Sequence, residues 1–116
     1  MIKQGYVYIM SNKNRTTLYI GVTNNLERRV LEHKAACGSK FTSKYNLFYL
    51  LYWEKIDGMQ RAIGREKQLK NWHSEWKWNI IQEENPALKD LAGDWFSDDV
   101  IKEYKRSHLA DSEASS

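Results

Sequence analysis

Residues 5–33 read GYVYIMSNKNRTTLYIGVTNNLERRVLEH, two strand-forming runs joined by a polar turn and followed at once by a helix pattern. Residues 6–10 are aromatic, β-branched or otherwise apolar, with neither Gly nor Pro, and residues 16–20 form a similar run. The asparagine-rich stretch between them has turn chemistry, so an antiparallel hairpin is expected. With residues 12–15 as a four-residue loop, Ser11 pairs with Thr16 and Tyr8 lies opposite Tyr19. Side chains directly opposite share a face, so two phenols would stand side by side; a one-residue slip would separate them. Gly21 closes the second strand, where the missing β-carbon lets backbone or ligand approach closely.

Asn24 or Asn25 can cap the helix that follows, because an asparagine side chain satisfies free amides of a first turn. At helical spacing Leu26, Val30 and His33 form one stripe, with Arg29 at its edge. Two polar groups therefore sit beside an apolar face. A partly buried, hydrogen-bonded histidine is the plain reading of His33, and a surface ion pair with Glu27 or Glu32 is the plain reading of Arg29.

Working outward, residues 35–44 are small, polar and basic and read as a loop, and residues 45–53, YNLFYLLYW, suit a central strand covered on both faces. Asp57 is the expected cap of the next helix, whose stripe carries Met59, Ala62, Ile63, Glu66 and Leu69. A carboxylate within an apolar stripe must be paired, protonated or bound to a cation. For Glu66 an ion pair with Arg29 or another basic residue and a metal site both satisfy that demand. Gly64 inside the helix suggests close contact with a neighbouring element. Ser74 is expected to cap a last helix over residues 75–84, with Trp76, Asn79 and Ile80 on its core-facing side and Trp78 and Ile81 widening it. Trp72, Trp76 and Trp78 at helical spacing are read as core rather than as base-stacking groups.

A length of 116 residues fits one domain, expected to comprise a body over 1–86, an extension over 87–106 docked on it through Trp95 and Phe96, and a disordered tail over 107–116. A single cysteine, Cys37, excludes an intramolecular disulfide and a zinc site of several thiolates. The N-terminus enters the strand pattern without an apolar stretch of signal-peptide or membrane length, so a soluble, cytoplasmic protein with no membrane association is expected. The net charge of +3 is uneven: residues 1–80 hold 14 Lys/Arg against 6 Asp/Glu, and residues 81–116 hold 4 against 9. A basic body interleaved with tyrosines suits a polyanion, and a merely solvated basic surface is the alternative.

The ordered series Tyr6-Val7-Tyr8, Tyr19-Ile20-Gly21, then Arg29 and His33 on the next helix resembles the GIY-YIG nuclease family, with Tyr6 where the name-giving glycine would stand. The resemblance covers about residues 5–86, and the block REKQLKNW with the later Asn-Pro is similar to small stand-alone members related to the excision-repair incision domain. It implies an α/β (α+β) fold with a three-stranded antiparallel sheet flanked by helices. It also implies phosphodiester hydrolysis in DNA with one Mg²⁺ (or Mn²⁺), linked to repair or recombination. In that picture Glu66 holds the metal, and Arg29 contacts the phosphate. Tyr8 or Tyr19 handles the attacking water, His33 accepts or orients a proton, and Asn79 positions water or backbone near the metal. Lys40, in a segment similar to the family's G-x-K-[FY]-T, joins Arg28, Lys44 and Lys67 as expected nucleic-acid contacts.

Two other classes compete with the enzyme: a nucleic-acid-binding module of the same fold with little cleavage, and a protein-interaction domain acting through the acidic C-terminal part. A monomer is the working expectation. If DNA is the partner, affinity falls steeply with salt, and Lys40→Ala and Lys67→Ala each lower the slope of log K against log [salt] by about 0.9. Anisotropy titrations across salt concentrations measure this, and an unchanged slope removes those lysines from the interface.

Overall fold

The computed structural model describes residues 3–115, with side chains as far as His108. Eight elements follow in chain order: β1 (Gln4–Ser11), β2 (Leu18–Thr23), α1 (Leu26–Lys34), α2 (Lys40–Lys44), β3 (Tyr49–Asp57), α3 (Met59–Lys70), α4 (Ser74–Glu84) and α5 (Asp98–Ser115). The three strands form one antiparallel sheet in the order β2-β1-β3, so the expected fold class holds.

The hairpin register differs from expectation by two residues. Ser11 pairs with Leu18, Met10 with Tyr19, and Tyr8 with Gly21. The loop is longer because Asn12 organises it: its Oδ1 accepts from the Thr16 and Thr17 amides at 2.8 and 3.1 Å, while Arg15 takes a left-handed φ of 57°. A two-residue shift keeps every side chain on its face. Tyr8 and Tyr19 are therefore diagonal rather than opposite, still on one face, with ring centroids 6.3 Å apart.

The central strand is β1, whose Val7, Tyr8, Ile9 and Met10 are all buried. The third strand starts at Tyr49 rather than Tyr45, and it is an edge strand whose later residues alternate in exposure. Aromatic content alone does not separate a twice-covered strand from one covered on a single side. Residues 45–48 instead turn the chain after α2, helped by Asn46 at φ 58° and a Leu47 amide donating to the Thr42 carbonyl at 2.9 Å.

Alternation along the sheet makes two cores. On one face Val7, Ile9, Ile20 and Leu51 meet Ala62 and Leu69 of α3 and Ile81 of α4. On the other, Tyr8, Met10 and Leu50 meet Leu26 and Val30 of α1, together with Leu47 and Ala92. Asn25 caps α1, its side chain accepting from the Arg28 amide. The expected loop over 35–44 contains α2, capped by Ser39, and α3 begins after Gly58 rather than under an Asp57 cap. Gly64 faces open space, so close packing does not explain it.

Several C-terminal expectations also change. The sheet-facing side of α4 is set by Ile81, with Trp78 and Ile80 partly buried, whereas Trp76 is exposed and so is Asn79. With three tryptophans near or in one short helix, apolar residues point in most directions and periodicity does not choose a face. The helix begins at Ser74 with His73 before it, not under a Ser74 cap. The buried asparagine is Asn85, whose side chain donates to the Leu51 and Lys89 carbonyls. Helix α5 runs on to Ser115 through the stretch expected to be disordered, which contains neither Gly nor Pro to stop a helix; Ser116 lies outside the described residues.

The segment between α4 and α5 is tied down by Asp90. Its Oδ2 accepts from Lys34 Nζ at 2.6 Å, and its Oδ1 accepts from the Leu50 and Ala92 amides at 3.0 and 3.1 Å. Both charges are largely shielded, at 10% and 16% side-chain exposure. Asp90→Ala strands the Lys34 ammonium and is expected to cost about 3 kcal/mol in urea unfolding; Asp90→Asn, which keeps an acceptor, costs less.

Candidate active site

Helix α1 lies across the face of the sheet that carries both tyrosines, and its buried edge presents His33 while Arg29 stays half-buried. The Tyr8 hydroxyl, which is fully buried, lies 2.8 Å from His33 Nε2 and accepts from Arg29 Nε at 3.3 Å. Since Arg29 only donates, the phenol proton has His33 Nε2 as its acceptor. The imidazole proton then sits on Nδ1, which donates to Thr42 Oγ1 at 3.1 Å. Thr42 continues the chain to Ser39, its hydroxyl 2.8 Å from Ser39 Oγ.

Two glycines make room for this network. A β-carbon on Gly21 would overlap Tyr8 Cζ and Oη, and one on Gly38 would overlap the His33 ring at Nδ1. The close approach expected at Gly21 is thus made by the Tyr8 phenol from the neighbouring strand. Burial, opposed by the Arg29 hydrogen bond, raises the Tyr8 phenol above its ordinary range. Burial and then the Arg29 charge hold His33 down at about 4. At neutral pH both groups are uncharged beside one guanidinium, which also reaches Glu32 at 3.5 Å.

Tyr19 stands at the open side of this cluster. Its ring meets His33 edge-on at 5.5 Å, and it lines a shallow groove of about 280 Å³ with Leu18, Ile20, Phe41, Lys70 and Lys77. Glu66 is 12% exposed and its Oε1 pairs with Lys70 Nζ at 2.9 Å. Its partner is thus neither Arg29 nor a buried base but a half-exposed lysine of the groove wall. Asn79 lines a different shallow groove, with Trp72, Trp76, Ile80 and Glu83. Arg28, Lys40, Lys44 and Lys67 are all exposed.

Sequence reasoning therefore gathers Tyr8, Tyr19, Arg29 and His33 correctly on one face and misses Ser39, Thr42, Lys70 and Lys77. Lys70 had a visible signal, since it follows Glu66 by four positions on a helix. Thr42 had none, because its partner is reached only when α2 folds under α1.

The description "GIY-YIG catalytic domain" matches residues 4–79. The chain belongs to the GIY-YIG family. It is 36% identical to a UPF0213 protein of Natronomonas pharaonis over 84 residues, which cover 72% of this chain and 98% of that protein. A UPF0213 protein of Syntrophus aciditrophicus is 33% identical over 86 residues, 73% of this chain and 97% of its own. One of Clostridium perfringens is 40% identical over 65 residues, 56% and 69% of the two chains. No solved structure matches the chain. Family membership implies chemistry of the nuclease type on DNA and general use of divalent metals. No helix of the described residues is long and apolar enough to cross a membrane. The GIY-YIG match ends at Asn79, so the Asp90 tether, Trp95 and α5 lie beyond it.

The depressed His33 value makes a stability prediction. Between pH 6.5 and about 4 the unfolded chain binds a proton at this histidine that the folded chain refuses, so stability is complete above 6.5 and falls as pH drops. The loss reaches roughly 3 kcal/mol at most. Urea unfolding at several pH values should show this slope in the wild type and its disappearance in His33→Gln.

Proposed function

We propose that the chain is a DNA endonuclease that hydrolyses phosphodiester bonds with Mg²⁺ or Mn²⁺ held at Glu66, directed by DNA shape and serving repair or recombination. The observation that carries this reading is the Arg29–Tyr8–His33 network set directly behind Tyr19 and its lysine-walled groove. Among the described residues no three His, Cys, Asp or Glu side chains gather to hold an ion. A lone carboxylate suits Mg²⁺, which keeps most of its waters, and the half-exposed Lys70 can swing away from Glu66. A bound cation would offset charge on the pentavalent phosphate and on the leaving 3′ oxygen.

The two tyrosines divide the work. Tyr8 has no solvent contact and its hydroxyl is engaged on both sides, so it orients the Arg29 guanidinium and no water reaches it. Tyr19, half-buried on the open groove, is the phenol whose oxygen accepts a hydrogen bond from the attacking water and orients it, the proton that the water loses passing to solvent in the groove. Arg29 supplies fixed positive charge to the phosphate in the transition state. His33, neutral, holds Tyr8 and not the substrate. Arg28, Lys40, Lys44 and Lys67 would steer the DNA backbone, and Lys70 and Lys77 add to them from the groove wall. Asn79 does not line this groove, and no step is assigned to it.

The Lys70 contact to Glu66 favours one competitor, a DNA-binding module in which that carboxylate is only a surface partner. Glu66→Gln separates the two. Because the pair is partly exposed, the change should cost less than about 1 kcal/mol of stability under either reading. The nuclease loses metal-dependent cleavage while binding DNA as well as before; the module shows no cleavage to lose. Arg29→Ala should likewise abolish nicking with the fold retained. Cleavage by Glu66→Gln, or by the wild type in EDTA, would falsify the one-metal assignment.

A further inference from the structure

Helix α2 has two sides with different partners. Inward, Thr42 is 1% exposed and holds His33. Outward, Phe41 and Tyr45, four positions apart, are 45% and 44% exposed and belong to neither core. Their rings are not isolated: Phe41 lies 4.8 Å from Tyr45 and 6.2 Å from Tyr19, centroid to centroid, the latter pair inclined by 31°. Three aromatic rings therefore run in sequence out of the groove. Lys44 Nζ sits 5.4 Å from the Tyr45 ring centre, and Lys70 and Lys77 line the groove together with Phe41.

Exposed aromatic area costs free energy unless something covers it during function. A protein partner's apolar face would have to desolvate these lysines with it. Nucleobases answer both features at once, since each carries a flat π-face for the ring and a phosphate for the lysine. Paired bases inside a duplex show no free face, so the ring array fits only bases that have left the stack.

We propose that Phe41 and Tyr45 form a stacking ledge for unpaired nucleobases, so that the preferred substrate is DNA with one or two unpaired bases flanking the phosphate in the Tyr19 groove. This rests on the endonuclease reading for its substrate but not for its test. Through Thr42 the ledge is braced against His33, which places the stacked base in fixed relation to the Tyr8–Arg29 pair.

Binding in EDTA isolates the ledge from cleavage. The probes are a gapped duplex with 2-aminopurine in the gap and the same sequence fully paired. Wild-type protein is expected to quench the gap fluorophore and to prefer the gapped DNA. In Phe41→Ala/Tyr45→Ala the quench disappears and gapped-DNA affinity falls about tenfold per ring removed, while in Tyr45→Ala, whose ring does not line the groove, fully paired DNA binds within twofold of wild type. Phe41→Trp, which keeps an aromatic ring at this position, keeps the quench. Tyr45→Ala alone, at the end of α2, carries the comparison if the double variant's thermal midpoint drops. Equal losses on both DNAs, or no wild-type quench or preference, overturn the ledge. Failure of the endonuclease reading looks different: no DNA is cut in Mg²⁺ or Mn²⁺ although the ledge still binds the gap.

Discussion

A phenol hydroxyl with no access to water must find its hydrogen bonds inside the protein, and the rest of this structure is arranged so that Tyr8 does. Its oxygen needs a donor and its proton needs an acceptor. Arg29 and His33 fill those roles from successive turns of α1. Each demand passes outward, since His33 once committed at Nε2 must place its Nδ1 proton on Thr42, and Thr42 is positioned by the Ser39 cap of α2. The sheet contributes space, as Gly21 opposite Tyr8 leaves room for the ring. Removing any one group leaves its neighbour short of a hydrogen bond, which makes the network a single unit.

That unit explains how a half-buried arginine is held still against Tyr8, whose ring neighbours the groove-lining Tyr19. Arg29 carries a charge whose value to a phosphate depends on its being aimed before the phosphate arrives. Tyr8 takes one guanidinium nitrogen and the part-exposed Glu32 carboxylate another, while Tyr8 and His33 are both buried in uncharged form and so do not neutralise the guanidinium. The opposite face of the sheet is occupied by α3 and α4, and their lysines reach the same groove around the free edge of β2. Charge and geometry are thus supplied by different layers.

The extension beyond the family match completes the tyrosine face. Ala92, Trp95 and Phe96 pack with Tyr6, Tyr8 and Tyr19 over the sheet. Asp90 links that segment to α1 through Lys34 and to β3 through the Leu50 amide. A helix that positions His33 is in this way clamped at its C-terminal end by a segment that has no part in the site itself.

Much of this is written locally. The period-two runs of β1 and β2, the Asn25 cap and the Leu26–Val30–His33 stripe are nearest-neighbour properties, and they suffice for a hairpin followed by a helix bearing His33 and Arg29 beside two tyrosines. The face shared by Tyr8 and Tyr19 also survived a wrong loop length, because a shift of two residues preserves parity in a strand. Tertiary structure decided what depends on contacts between distant segments. It put β1 rather than β3 at the centre of the sheet, turned Asn79 outward and buried Asn85, and gave Glu66 to Lys70. It also sealed Tyr8 while leaving Tyr19 open, which no periodicity distinguishes, since both lie on the same face. The difference comes from position in the sheet: Tyr8 is on the central strand beneath α1, and Tyr19 is on an edge where no further strand covers it.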